Sequence, residues 1–596
     1  MPDSRRPGPG PGPGPGGADH RALPVIRYLD AVLRRASVPM EAEPFEPDWG
    51  DQPRSHKIYR QAPGFPLPDQ VPHPAAPLGE ALPGRPRPQE PGEGFTVPLL
   101  AGMLRHSYGW LSRRLRITAD PGQGGREAYA HSAWARGSAA GGGLYPCEIY
   151  WVCGPGAGPL PGVYHYDQPA HALRRLAAGD VSPRVREALG SAPTAGRQFL
   201  LVTVRFWQNA FKYGEFSYHC VTMDLGCLLR TWQTWAAACG IGLRPRLWYD
   251  EPALDRLLGL DPATESVLAA VPLPWRGATA AKSDGPGPSQ APAPRVAAPL
   301  PERSRTVLRF PAAEAAHLAA AHDTGPPPGP RALAEAAAAV PDPPADVQPH
   351  TSAYAPVPLP APAPLGAGVA EALTARRSSF GRFSAHRPMA PDELAALLRA
   401  AAAGRHLFPD EDGGEPSSHS APALTRLAVF VQHVAGTPAG LHLYDSAAHA
   451  LIPLSGPAPH PFLQRIYTLN NYNLEQAAAV LFVLARPHAV LAAAGPRGHR
   501  LLNAEVGAVA QAAYLAAAAL GTGCGAALGF DYEAVHTALA PAVGPDTWPL
   551  LLLMAGHERP DRPRFDAPLV PHHPGPRHDL CPSYSPSPRT DRTGRR

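Results

Sequence analysis

Three short segments carry residues whose types and spacing could do chemistry. Lys212-Tyr213 sets an amine beside a phenol. A lysine whose pKa is lowered by burial or by neighbouring cations can take a proton from carbon, with tyrosine to relay or orient it. The run Arg136-Gly-Ser-Ala-Ala-Gly-Gly-Gly-Leu-Tyr-Pro-Cys-Glu148 contains Gly141, Gly142 and Gly143, where no Cβ would keep backbone from lying against a flat ring. Arg376, Arg377 and Ser378 precede a helical pattern and offer bidentate donors suited to a phosphate. Taken singly, each has a plainer reading: a surface Lys-Tyr at a strand end, an ordinary flexible loop, a solvated basic turn.

These segments need domains to position them. At 596 residues the chain is too long for one ordinary core, and 79 prolines and 58 glycines with 17% charged residues require long linkers or tails. Composition divides it into a Pro/Gly tail (1–20), an N-terminal extension (21–95) with a helical stretch from Leu23 to Arg35, and a globular block (96–276). A Pro/Ala-rich linker (277–365) follows, interrupted by an apolar-periodic stretch from Arg305 to Ala321; then come a second globular block (366–568) and a final tail (569–596). A net charge of +4 gives no support for nucleic-acid binding. The seven cysteines show no C-x-x-C pair and no metal-ligand spacing, so no metal is expected, and an odd count fits a reducing cytoplasm. With no secretory h-region and no apolar run near 20 residues, the expectation is a soluble, cytoplasmic protein without membrane partners.

The two globular blocks resemble each other. Gly162-Val-Tyr-His-Tyr-Asp167 followed by His171-Ala-Leu173 has its counterpart in Gly440-Leu-His-Leu-Tyr-Asp445 and His449-Ala-Leu451, each reading as a β-hairpin. Met223-Asp-Leu-Gly226 opens a long apolar helix ending at Cys239-Gly-Ile-Gly242, and Ala504-Glu-Val-Gly507 opens another ending at Leu520-Gly-Thr-Gly523. The same features in the same order at similar spacing imply an internal duplication. Helices alternating with short strands and hairpins point to an α+β class.

On these residues the chain resembles the nitroreductase-like FMN flavoenzymes, and within them the SagB-type dehydrogenases that oxidise azolines during thiazole/oxazole-modified peptide biosynthesis. The Arg136–Glu148 segment is similar to the family's flavin-contacting loop, with Ala140 where relatives carry Ser. Phe211-Lys-Tyr-Gly-Glu215 matches the catalytic Lys-Tyr pair of the azoline dehydrogenases. Arg376-Arg-Ser378 with Pro391-Asp-Glu-Leu-Ala-Ala-Leu-Leu398 looks like the opening of a nitroreductase domain, where basic residues and serine hold the FMN phosphate. The basic residue usual two positions after the Ser is replaced by Phe380, with Arg382 two further on. Leu528-Gly529-Phe530 lies where the family offers a backbone N–H to flavin N5; Arg500 is a weaker flavin candidate, as are Arg562 and Arg564.

The blocks differ in what they keep. Counting back from the helix starts, the second has Ala493-Ala494 where the first has Lys212-Tyr213, and Ser420-Ala-Pro-Ala-Leu424 in place of the glycine loop. The first lacks Arg-Arg-Ser, its nearest candidate being Arg105-His-Ser107, and has His219 where the second has Arg500. Because the resemblance implies FMN at a dimer interface, two tandem domains would form an intrachain pseudo-dimer with one composite site. The second block would give the phosphate grip and N5 contact, the first the glycine loop and catalytic pair. The expected function is an FMN-dependent dehydrogenase acting on an azoline-containing precursor peptide and reoxidised by dioxygen, with a cyclodehydratase complex as a further candidate partner. A flavin oxidoreductase on another small substrate and a non-catalytic partner in a peptide-modifying complex remain as alternatives.

Overall fold

Two helices of 22 residues, Ser217–Ala238 and Gly498–Ala519, cross at the centre of the computed structural model. Every residue of the first is buried, and so is the second through Ala517, which explains sequences apolar nearly all round. They cross backbone to backbone. A Cβ on Gly226 would collide with the carbonyl oxygen of Ala504, and one on Gly507 with that of Met223. The contact is reciprocal, as in an isologous interface. The residues described are 20–43, 45–69, 71, 73–74, 76–85, 93–118, 129–190, 196–277, 295–323, 325–337, 355–379, 382–407, 423–456, 461–469, 471–560 and 565–569.

Each core helix belongs to an antiparallel sheet. The first sheet runs Gly64–Pro66, Ala172–Ala178, Gly162–Asp167, Cys147–Cys153, Gln198–Arg205, Glu265–Pro272. The second runs Val357–Pro358, Ala450–Ser455, Gly440–Asp445, Thr425–Val431, Ala479–Ala485, Trp548–Gly556, Gly523–Ala527, so six positions correspond and the last strand is additional. Local chemistry corresponds too. Tyr166 Oη pairs with His171 Nδ1 at 2.9 Å, and Tyr444 Oη with His449 Nδ1 at 2.8 Å. Asp250 caps the helix Glu251–Leu258 through Ala253 N–H, as Asp531 caps Tyr532–Val543 through Ala534 N–H. A third, small sheet ties the chain's ends together: Phe565–Pro568 pairs with Ser112–Thr118, which pairs with Tyr129–Ala135.

The N-terminal extension is built into the core. Its helix, Leu23–Arg34, buries Val25, Tyr28, Leu29, Val32 and Leu33. Tyr28 Oη donates to the Glu215 carbonyl and accepts His219 N–H, both at 2.9 Å. Further on, Phe45 meets Phe310 and Trp49 meets Phe211 edge to face. Part of the linker is equally ordered: Leu300 N–H donates to Ile58 O and Ala297 N–H to Leu176 O.

Several boundaries differ from the sequence reading. The core helices start at Ser217 and Gly498, well before Met223 and Ala504, because their first turns are polar yet buried by the other half. The linker helix is Pro311–Ala321, with 305–310 outside it, Pro311 being well suited to a first turn. The tails 1–19 and 570–596 lie outside the described residues. By length and composition alone the stretch Pro487–Ala519 could cross a membrane; 94% of its most apolar window is buried in the protein, and Gly495 breaks it into two helices.

The crossing predicts a strong local sensitivity. Gly226→Ala or Gly507→Ala should cost about 3 kcal/mol or more, since the added carbon meets backbone rather than a movable side chain. Gly366→Ala, where an added carbon meets no atom within 4 Å, should stay within roughly 0.5 kcal/mol of the parent in the same thermal or denaturant melts.

Candidate active site between the two halves

Lys212 and Tyr213 are the last two residues of the helix Phe206–Tyr213, which Gly214, at φ 53°, turns toward the core helix. The turn aims the pair at the glycine loop. Gly142 sits at φ 63°, and a Cβ there would lie 2.5 Å from Tyr213 Oη and 3.1 Å from Lys212 Nζ, so only glycine fits. Lys212 Nζ lies 4.9 Å from the Tyr213 ring centroid. Burial raises the Tyr213 phenol well above its usual range, which keeps it protonated and a donor. Asp224, on the core helix, holds the loop by accepting Gly141 N–H at 2.7 Å. Burial pushes its carboxyl up to about 7 against the opposing pull of that N–H.

The other half approaches through Arg376, whose Nη2 donates to the Arg136 carbonyl at 2.9 Å. Gln511, from the second core helix, accepts Ala139 N–H and donates to the Gly137 carbonyl. Arg136 is 3% exposed, its guanidinium between the rings of Tyr108 at 4.5 Å and Tyr145 at 4.4 Å. Its Nε and Nη1 have no hydrogen-bond partner; neither do Arg376 Nε and Asn209 Oδ1, the Asn209 side chain bonding Asp224 beside Gly141. Buried donors and acceptors left unsatisfied are costly, and their gathering around one loop marks a place built for a polar ligand. Both kinds are present, as a ring edge bearing N–H and C=O groups, such as the flavin of FMN, requires.

A cavity of about 250 Å3 opens beside this cluster, lined by Arg377, Arg387, Arg559, Tyr514 and Glu558. Arg377 makes a bidentate pair with Glu558, one arm at 2.8 Å, and Arg387 Nη1 donates to the Glu558 carbonyl at 3.2 Å. Ser378 Oγ and Tyr514 Oη lie 3.0 Å apart. Three arginines and one carboxylate line the cavity, a positive surplus that fits a phosphate.

The structure thus brings Lys212, Tyr213, Arg136, Ala140, Gly141, Gly142, Gly143 and Arg376 to one junction; Arg377 lines the adjoining cavity, and Ser378 reaches it through its bond to Tyr514. The Arg376 guanidinium turns into the interface, toward Arg136, while that of Arg377 faces the cavity. Arg382 enters through its backbone carbonyl, which accepts Arg559 N–H at 2.7 Å. Gly529 carries a carbonyl that accepts Thr468 N–H, and the neighbouring Leu528 carbonyl accepts from Arg35. Arg500 is fully buried and ion-paired with Glu251 at 2.7 Å, joining the two halves. Phe380, Arg562 and Arg564 lie outside the described residues, as does most of Ser420–Leu424.

Sequence reasoning missed Arg387, Arg559, Gln511 and Arg35. The Arg35 guanidinium lies 3.9 Å from the Phe216 ring centroid and 5.4 Å from that of Tyr532, bridging the two halves. The arginine-rich stretch after the last long strand signalled Arg559; nothing local signalled Arg35.

The symmetry-related location is furnished differently. Ala493-Ala494 end the helix Pro487–Ala494, as Lys212-Tyr213 end theirs. Glu505 does the work of Asp224, accepting Leu424 N–H, Thr425 N–H and Thr425 Oγ1–H, and burial raises it to about 7. At the position of Gln511 stands Arg230, fully buried, donating to the carbonyls of Leu82, Ala403, Gly404 and His406.

Residues 373–557 match the Nitroreductase family, so the second half contains a Nitroreductase-family domain. No curated protein matches the chain. Its fold is similar to the crystal structure of a candidate nitroreductase from Anabaena variabilis, with TM-score 0.64 and 21% identity over 90% of this chain and 99% of that one. Partial likenesses are to a candidate nitroreductase from Ralstonia eutropha (TM-score 0.26, 21% identity, 35% of this chain and 92% of that one) and to the Escherichia coli microcin synthetase complex with a truncated precursor bound (TM-score 0.23, 18% identity, 43% and 94%).

The raised Asp224 carboxyl has a defined consequence for stability. Its folded value lies above the unfolded value of about 4, so the folded chain holds the extra proton between those limits and stability falls as pH rises through them. Asp224→Asn keeps an acceptor for Gly141 N–H without that ionisation. The variant should melt near the parent at pH 5 and several degrees above it at pH 8, on the order of 5 °C, in parallel melts. An unchanged difference across that range would contradict the assignment.

Proposed function

We propose that the chain is an FMN-dependent oxidoreductase whose two halves form an intrachain pseudo-dimer with one composite site, and that it oxidises azoline rings in a peptide to azoles. One observation carries this reading: Lys212-Tyr213 stand over Gly142 of the glycine loop, the segment bearing that loop takes a hydrogen bond at the Arg136 carbonyl from Arg376 of the second half, and Arg377 next to Arg376 lines the arginine-rich cavity. The reciprocal helix crossing and matched strand order support the pseudo-dimer.

FMN, when bound, would supply the hydride acceptor, with dioxygen as the terminal acceptor of the electron pair. Arg377, Arg387, Arg559 and Ser378 would hold its phosphate. Arg136, Asn209 and the Gly141–Gly143 backbone would meet its ring, which Asp224 keeps in place by fixing Gly141. Aromatising an azoline removes one hydride and one proton from ring carbons. Lys212 Nζ takes the proton in its neutral form, and the protonated Tyr213 hydroxyl beside it orients the amine or the ring through a hydrogen bond. The proton then leaves Lys212 to solvent.

Lys212→Ala should leave the flavin absorbance intact and lower turnover of a thiazoline peptide by about 10²–10⁴-fold. A wild-type rate in that variant would exclude the mechanism. Arg377→Ala combined with Arg559→Ala should weaken FMN retention about tenfold or more, read by equilibrium dialysis against free FMN.

A further inference from the structure

A second cavity, of about 740 Å3, lies along the Lys-Tyr helix. Five parts of the chain wall it: residues 54–59 of the extension, Arg205 to Ala210 around the start of the helix, Ser217 and Tyr218 of the first core helix, the turn 256–265, and the linker from 295 to 317. Its volume suits a ligand far larger than a five-membered ring. One end adjoins the candidate active site. Phe310, in the wall, stands 3.3 Å from where a Cβ on Gly214 would be, and Gly214 follows Tyr213 directly.

The lining has a definite chemistry. Most of its inner charges are already paired: Lys57 with Glu265, Arg205 with Glu148 and Glu302, Arg309 with Glu314. Phe206, Trp207, Val307, Leu308 and Phe310 make the surface aromatic and apolar, with Val307 and Leu308 46% and 44% exposed. His317 is 1% exposed and belongs to the wall: its ring bonds the Pro262 backbone, and Nδ1 stands 4.0 Å from Glu251. Burial lowers its pKa to about 4, so at neutral pH the ring is uncharged and the wall beside Phe206 stays apolar. Arg256 and Arg295 lie exposed at the rim and favour an acidic group there.

We propose that this cavity seats the stretch of the peptide substrate flanking the reacting ring, with apolar side chains inside and an acidic residue at the Arg256/Arg295 rim. The proposal rests on the peptide-azoline reading above. The reach agrees with it. Trp207 to Tyr213 is about 9 Å along the helix at roughly 1.5 Å per residue. An extended peptide covers about 3.3 Å per residue, so about the third residue from the ring comes level with Trp207.

The test uses the flavin-loaded full chain and synthetic peptides with one thiazole, titrated by calorimetry. One peptide is the capped ring alone. Others add a flank roughly six residues long, of Leu, Phe and Ala ending in Glu, on the N-terminal or the C-terminal side; a length-matched control uses Gly and Ser. One apolar flank should tighten binding about tenfold or more over the bare ring, with no gain from the control. Val307→Glu combined with Leu308→Glu, at exposed positions that spare the core, should erase the gain while leaving the flavin spectrum and bare-ring binding unchanged. An apolar flank that adds nothing, or a gain that survives the Val307/Leu308 variant, overturns the proposal. Turnover of the matching thiazoline peptides is read separately: oxidation of none overturns the azoline reading, while the binding series still decides the cavity.

Discussion

The backbone contact between the two core helices is the constraint on which the other features depend. Gly226 lies against the Ala504 carbonyl and Gly507 against that of Met223, so neither helix can carry a side chain at the crossing. Two residues before each glycine an acid is driven into the interior, Asp224 in one helix and Glu505 in the other. A buried carboxylate needs donors, and each finds them in the segment entering its half's central strand: Gly141 N–H for Asp224, Leu424 and Thr425 for Glu505. The crossing therefore fixes the two helices, the two acids and the two entering segments together.

On this matched scaffold the chemistry is unequal. Where the first half presents Lys212-Tyr213 to its glycine loop, the second presents two alanines. Gln511 reaches across and bonds the first half's loop through both ends of its amide, whereas Arg230, its counterpart, donates to four carbonyls and fills the space with its own guanidinium. The matched frame tolerates this difference because the acids and glycines at the crossing carry the architecture. The remaining positions are left to specialise.

Much of the architecture was legible because it is written in local patterns. The hairpins announce themselves through Tyr-Asp turns with a following His, and both histidines adopt positive φ there, His171 at 44° and His449 at 50°. The equivalence of Lys212-Tyr213 with Ala493-Ala494 followed from counting, and the structure keeps it. What was not legible depends on distant partners. The first turns of the core helices contain Ser217, His219, His499 and Arg500, residues that suggest a surface. Arg500 is buried only because Glu251, 249 residues away, meets it. The inward turn of Arg376, the arrival of Arg35 from the extension and the ordering of the linker against residues 54–58 likewise depend on folding at long range.

The proposed single flavin site between two similar halves fixes a stoichiometry. The direct measurement is the amount of FMN released by denaturing the purified, FMN-saturated full-length chain, set against protein concentration from amino-acid analysis. One FMN per chain is the predicted result. Two per chain would show that the Arg230-filled location binds flavin as well, and none would remove the flavin from the account altogether.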